Sequence, residues 1–241
     1  MHHFTKRPGI AGISIPLPMT LRCLIPILIP AHNEAATIAT VVRRCLPHAA
    51  RVIVLADHCT DDTVARARSA GAEVWENPAG LSPGKATTLC NAWARLASDP
   101  SWTHLLLLDG DGQHDPDEAP KLLAFPPGID LVIGSRAPFA RPMPPLRRAV
   151  NRIMSRIMAL RTGLQLDDSQ SGFRRLSRRL VEQGTWTSRG FELESEMILQ
   201  AARLGFPVAQ VPVACQYGGR SSHIRPWTDT FRWLLWLGRT A

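Results

Sequence analysis

The sequence predicts an α/β fold: a mostly parallel central sheet with helices on both faces. Two observations carry that reading. Short, charge-free apolar runs alternate along the chain with segments of helical period. Polar clusters also follow the ends of several of these runs, as expected where strands deliver loops to one edge of a sheet.

The elements follow in order. Ile25–Ile29 reads as a first, fully buried strand, and a helix follows over roughly Ala35–Cys45. Val52–Leu55 is the second strand, followed by a helix over Asp62–Ala70 and a short strand at Glu73–Trp75. A helix around Ala86–Ala97 precedes the four-leucine strand Leu105–Leu108. A helix near Glu118–Ala124 then leads to the strand Leu131–Ile133. Strand–helix alternation of this kind favours parallel pairing over hairpins.

The chain has 241 residues, enough for one large domain with a full core. With 28 Lys plus Arg against 20 Asp plus Glu it carries a net charge of +8, which suits an anionic partner. Charge alone does not choose among nucleic acid, a phosphorylated substrate and a membrane surface. The five cysteines, Cys23, Cys45, Cys59, Cys90 and Cys215, include no CxxC pair and read as reduced thiols. No run of about 18 apolar residues exists, so no spanning helix is expected. Residues 1–20 read as a flexible leader, 21–215 as the main domain, and 216–241 as a tail ending in a Trp-rich amphipathic helix.

The polar clusters are "PAHNE" after the first strand, "ADHCTDDT" after the second, "DGDGQHD" after the four leucines and "GSR" at Gly134–Arg136. All four fall at strand carboxyl ends, where open α/β sheets form their binding crevice. The second half changes character. From Ala137 to Leu166 there is no acidic residue, yet Arg141, Arg147, Arg148, Arg152, Arg156 and Arg161 occur there. On a helix near 144–162, Arg148, Arg152 and Arg156 form one stripe, with Val150, Ile153, Met154 and Ile157 on the other side. Two readings stand: a surface helix with its apolar face on the core, or a helix lying in a membrane interface. The final segment, with Trp227, Phe231, Trp233, Leu234, Trp236 and Leu237, offers the same choice.

Asp109, Asp111 and Gln113 supply oxygen ligands at alternate positions, which suits Mg²⁺ or Mn²⁺. A calcium loop fails, because His114 stands where that loop needs Gly and Pro120 where it needs Glu, and a strand precedes it. Mg²⁺ is commonly shared with substrate phosphates, so two aspartates at a strand end point to a nucleotide or nucleotide sugar.

At this point the sequence resembles a family. "IPAHNE", "ADHCTDDT", Gly84–Lys85, "LLLLDGDGQHDP", "IGSR" and "DSQSGFRRLSRR" stand in the order seen in family 2 glycosyltransferases. They are most similar to the polyprenyl-phosphate sugar transferases, such as the dolichol-phosphate mannose and glucose synthases. The resemblance runs from Pro26 to Val213. It implies a GT-A fold and a metal-dependent, inverting hexosyl transfer from a nucleotide-sugar donor, with Mg²⁺ or Mn²⁺ as cofactor. It places Pro30, Ala31, Asn33, Glu34, Asp57, Lys85, Asp109 and Gly110 around the donor, and Asp109, Asp111 and Gln113 on the metal. It turns Arg136 and Arg174 towards phosphate charge, and sets Glu194 and Glu196 in an acidic acceptor-side segment.

Two departures matter. Ala56 replaces the first of a paired aspartate, and no acidic pair stands ready as a general base, leaving Asp168 as the nearest spare carboxylate. A phosphate monoester loses its second proton near pH 6, by analogy with phosphoserine, and needs no base, whereas a sugar hydroxyl does. The expected acceptor is therefore a lipid phosphate. Arg220, Ser222, His223 and Arg225 are candidates to grip it, and His223 is an alternative metal ligand. The expected location is cytoplasmic, peripheral to the inner face of the membrane. The alternatives are transfer to a hydroxyl of another lipid or small molecule, and a non-catalytic nucleotide or nucleic-acid binder. No nucleic-acid module is recognisable, and aromatic residues for base stacking are few.

Overall fold

The computed structural model describes residues 25–139, 143–188, 190, 192–216 and 226–240. Its strands are β1 (Ile27–Ala31), β2 (Val52–Ala56), β3 (Glu73–Glu76), β4 (His104–Leu107), β5 (Leu131–Ser135), β6 (Arg174–Ser177) and β7 (Val208–Pro212). They form one sheet in the order β3-β2-β1-β4-β6-β5-β7. Every pairing is parallel except those of β6, which runs antiparallel to both β4 and β5. The helices are α1 (Ile38–Cys45), α2 (Thr63–Ser69), α3 (Lys85–Leu96), α4 (Ala119–Leu123), α5 (Pro145–Thr162), α6 (Arg178–Gln183), α7 (Leu193–Arg203) and α8 (Pro226–Arg239). None of them is long and apolar enough to cross a membrane.

Strand periodicity divides the apolar residues between two cores. Leu28, Ile53, Leu55, Leu105, Leu107, Leu131 and Ile133 face one side and pack with α3, α5, α7 and Trp233 of α8. Ile27, Ile29, Val52, Val54, Leu106, Leu108 and Val132 face the other and pack with α1, α2 and α4. The charge-free runs in the sequence are therefore buried on both faces, as a sandwiched sheet requires.

The expected strands are all present, and α1 begins three residues later than its helical pattern. Its first turn is drawn into the loop instead, where Thr37 and Ile38 N–H both donate to the Glu34 carbonyl. β6 and β7 were not foreseen. β6 carries no apolar run, because two of its four residues are arginines, Arg174 and Arg175, at 0% and 1% exposure. On α5 the apolar residues divide: Met154 and Met158 are buried, Val150 and Ile157 are partly so, and Ile153 is exposed.

Candidate active site

The site grows from the carboxyl ends of β1, β2 and β4. After β1, Asn33 adopts the left-handed conformation (φ 55°), and its Oδ1 accepts from Thr60 N–H at 2.8 Å. Asp57 N–H donates to the Ala31 carbonyl, and His32 Nδ1 donates to the Asp57 carbonyl at 2.6 Å, so the first two loops are laced together. The Asp57 carboxylate then accepts from Gly84 N–H (2.8 Å) and Asn77 Nδ2 (3.1 Å). It thereby fixes the start of α3, and with it Lys85.

Lys85 Nζ lies 2.6 Å from Asp109 Oδ1 and 2.7 Å from Glu194 Oε1. Burial disfavours its charge, but Asp109 and Glu194 outweigh that and hold the ammonium above the usual lysine range. Burial likewise opposes ionisation of Asp109, and Lys85 overrides it, holding this carboxyl below its usual range. Asp111 is different. Burial, then the charge on Asp109, push it up to about 6, and among the described residues no cation stands within salt-bridge distance of it. Its Oδ1 accepts a local bond, from Gln113 N–H at 2.9 Å.

Glycine makes this crowding possible. A Cβ on Gly172 would lie 2.3 Å from Asp109 Oδ2 and 3.0 Å from Lys85 Nζ, so the chain after Asp168 presses its bare backbone on the carboxylate. Gly112 takes φ 73° and turns the loop between Asp111 and Gln113. Two hard carboxylates, one relieved by an amine and one not, fit a divalent cation that brings its remaining ligands on a diphosphate. No cluster of three His, Cys, Asp or Glu side chains forms among the described residues; of these, Asp109 and Asp111, with Gln113 beside them, are the ones that could hold such a cation.

Arg136 leaves the end of β5 and is clamped by Asp168, with Nε to Oδ2 at 2.7 Å and Nη2 to Oδ1 at 3.0 Å. Asp168 also accepts from Arg136 N–H, Asn151 Nδ2 and Gln170 N–H. Burial opposes its charge, but Arg136 holds this carboxyl far below the usual range. Asp168 is at 0% exposure and fully engaged, which corrects its reading as a spare base. Arg174 also differs from expectation. It donates to the carbonyls of Ser171 (2.7 Å), Ser169 (2.7 Å) and Glu194 (2.5 Å), beneath the crevice and not into it. Glu196 accepts from Thr187 N–H, Thr187 Oγ1 and Ser188 N–H, so it ties down a loop. Glu194 does face the site, through Lys85.

Thus Asn33, Asp57, Lys85, Asp109, Gly110, Asp111 and Glu194 come together in one hydrogen-bonded and electrostatic assembly, with the Arg136–Asp168 pair close enough to act on Asp109 and His114. Pro30 and Ala31 lie in β1 beneath it, and Glu34 opens the turn into α1. Arg220, Ser222, His223 and Arg225 lie outside the described residues, as does the expected leader. Sequence reasoning missed Gly172 and Asn151; the "SGF" motif was the only signal for the first. It also missed His114, which is buried against Phe173 and pushed down to about 4 by burial and then by Arg136.

A 3-2-1-4-6-5-7 sheet with an aspartate-centred crevice at its carboxyl edge defines a GT-A glycosyltransferase fold. The family model for Glycosyl transferase family 2 matches residues 27–184, and the chain belongs to that family. It is 36% identical over 190 residues to the glycosyltransferase AglJ of Haloferax volcanii, covering 77% of this chain and 61% of that protein. It is 31% identical over 115 residues to the undecaprenyl-phosphate mannosyltransferase of Micrococcus luteus, covering 45% of this chain and 47% of the relative. The chain thus spans about three-fifths and about half of these relatives. Among solved structures it is similar to glucosyl-3-phosphoglycerate synthase from Mycobacterium tuberculosis in complex with Mn²⁺, UDP and phosphoglyceric acid. That match has a TM-score of 0.69 at 26% identity and covers 90% of this chain and 78% of the other.

Proposed function

We propose that this protein is a divalent-metal-dependent, inverting hexosyltransferase that moves a sugar from a UDP- or GDP-sugar to a polyprenyl phosphate at the cytoplasmic face of a membrane. The observation that carries the reading is the asymmetric pair Asp109–Asp111, one carboxylate matched by Lys85 and the other left for a cation. The solved relative with Mn²⁺ and UDP supports the donor side. The relatives named undecaprenyl-phosphate mannosyltransferase, and polyprenol monophosphomannose synthase from Mycolicibacterium smegmatis at 26% identity, support the acceptor class.

In this reading Asp109 and Asp111 would hold the metal, which would neutralise charge on the leaving diphosphate. Asp57 and Asn33 order the loops that receive the nucleoside, and Arg136, held rigid by Asp168, presents positive charge to phosphate. The acceptor phosphate oxygen attacks the anomeric carbon, the bond from that carbon to the diphosphate oxygen breaks, and the nucleoside diphosphate leaves with the electron pair. A phosphate dianion needs no base. The engagement of Asp168 by Arg136 and Asn151 therefore favours this acceptor over a hydroxyl. The unbridged thiols Cys45, Cys59 and Cys90 fit a reducing compartment.

The test is transfer from radiolabelled UDP- and GDP-sugars into membrane lipid extract. Label should enter the organic phase only with Mg²⁺ or Mn²⁺ present. Asp111→Ala should lower kcat/KM by on the order of 10²-fold or more, as expected when charge stabilisation of the leaving group is lost. Chelator-resistant turnover would remove the metal, and label confined to water-soluble product would remove the lipid acceptor.

A further inference from the structure

Lys85 meets two demands at once. Its Nζ lies 2.6 Å from Asp109 Oδ1 and 2.7 Å from Glu194 Oε1. Asp109 is also one of the two carboxylates that could hold a divalent cation. An ammonium and a divalent cation compete for Asp109, because like charges that close repel strongly in a crevice sheltered from water. One of them has to give way.

The surroundings show which group can move and where it would go. Gly84 is tied by its N–H to Asp57, so α3 starts from a fixed point, and the lysine stem beyond it is flexible. Asp109 has no such freedom, since a Cβ on Gly172 would lie 2.3 Å from its Oδ2. Glu194 is fixed as well. Its carbonyl accepts from Arg174 Nη1 at 2.5 Å. The Oγ of the next residue, Ser195, accepts from Trp233 Nε1 (2.8 Å) and Gln170 Nε2 (3.0 Å). Yet the Glu194 carboxylate is only half used. Oε1 takes Lys85, while Oε2 is buried with no hydrogen-bond partner among the described residues. A buried acceptor left without a donor is costly. Beside an ammonium with three N–H groups, it marks a second bond that can form.

We propose that Glu194 is a receiving carboxylate for Lys85: when Asp109 turns to a divalent cation, Lys85 gives up Asp109 Oδ1 and takes Glu194 Oε2. The inference rests on the metal reading of Asp109 and Asp111 proposed above. It gives Glu194 a positioning role separate from any contact with the acceptor. Without the cation, Lys85 relieves Asp109 and the crevice keeps its shape. With the cation, Glu194 keeps the displaced ammonium from standing unpaired in a buried place. The network of Arg174, Gln170 and Trp233 holds that carboxylate ready, which ties α8 to the site although it lies outside the residues the family model matches.

The test is Mn²⁺ binding to the full chain at pH 8, read from the free-ion electron paramagnetic resonance signal, with and without UDP. Glu194→Gln, which keeps the side-chain shape and an acceptor for Lys85, should weaken binding about thirty-fold, as when an outer partner of a metal ligand is lost. Lys85→Met should tighten binding, because no ammonium has to leave Asp109. Adding Glu194→Gln to Lys85→Met should then cost only a few-fold. A general loss of negative charge would weaken binding equally in both backgrounds, and that result overturns the exchange. So does a Glu194→Gln protein that binds Mn²⁺ as wild type does, as expected if Lys85 left both carboxylates for the diphosphate. A second measurement needs no lysine variant. The chain has only three lysines, Lys6, Lys85 and Lys121, so isotope-labelled lysine lets nuclear magnetic resonance follow the Lys85 Cε signal. Saturating Mg²⁺ with UDP should move that signal, and an unmoved signal with Mg²⁺ bound overturns the proposal. Wild type that binds neither ion sinks the metal-dependent function and this inference with it. Wild-type binding that is indifferent to Glu194 sinks the inference alone.

Discussion

Gly172 stands where any side chain would collide with the candidate metal site. An added Cβ would meet Asp109 Oδ2 at 2.3 Å, and that carboxylate is already held by Lys85. Gly172→Ala should therefore push Asp109 out of place and lower kcat/KM by on the order of 10²-fold, while costing only about 1 kcal/mol of stability. Steady-state kinetics beside urea denaturation checks the split; equal damage to both would mean a folding role. Lys85 has the opposite balance. Lys85→Met leaves Asp109 and the nearly buried Glu194 without their cation, and should cost about 2–4 kcal/mol. Without Lys85, burial makes Asp109 resist ionising, so its folded-state pKa rises above the unfolded one. The loss should thus shrink as pH falls from 8 to 5. At this scale the candidate carboxylates were legible because aspartates one residue apart at a strand end are chemically conspicuous. Gly172 was not, since its importance is an absence of atoms beside a residue far away in sequence.

Elements buried on both faces announce themselves, and elements built on buried charge do not. Four leucines before Asp109 betray β4 because its two faces meet two apolar cores. β6 sits beside it, antiparallel, yet reads as "RRLS". Its arginines are affordable only because backbone carbonyls surround them, and no sequence pattern shows that. Arg175 donates to the carbonyls of Phe125 (2.6 Å), Pro126 (2.9 Å) and Ile129 (3.1 Å), closing the loop after α4. Burial pushes its pKa down to about 10, so it stays charged at neutral pH. Arg175→Met should strand those carbonyls and cost about 3 kcal/mol in urea denaturation. Arg175→Lys should recover only part, because an ammonium cannot span three acceptors as the guanidinium fork does. α5 shows a milder form of the same limit. Its stripe of arginines was readable, but which apolar residues face inwards depends on the angle at which the helix meets the sheet.

For the whole molecule, acid stability depends on buried histidines and a crevice carboxylate working against each other. His104 is pushed down to about 4 by burial and then by Arg175, with its Nε2 at 3.1 Å from the Pro127 carbonyl; His114 is pushed down to a similar value. An unfolded chain protonates both near pH 6.5 and the folded one does not. Their contribution is therefore whole above pH 6.5 and drains away as pH falls towards 4. Asp111 has the other sign. Its folded value of about 6 lies above the unfolded one, so the folded state takes up a proton first and is relieved as pH falls below 6. Between pH 6 and 4.5 the unfolded state binds about two more protons through the histidines and about one fewer through Asp111. Stability should then fall with pH across this range without divalent cation, because the histidines outweigh Asp111. His104→Gln, which keeps a donor for the Pro127 carbonyl, should make this stretch nearly flat. Asp111→Asn should make it clearly steeper by removing the compensating proton. Urea denaturation of the three proteins at pH 6.0, 5.25 and 4.5, in chelator, measures all three slopes. Parallel slopes for wild type and Asp111→Asn would mean that Asp111 ionises as an ordinary surface carboxylate, leaving no unmatched charge for a metal to relieve.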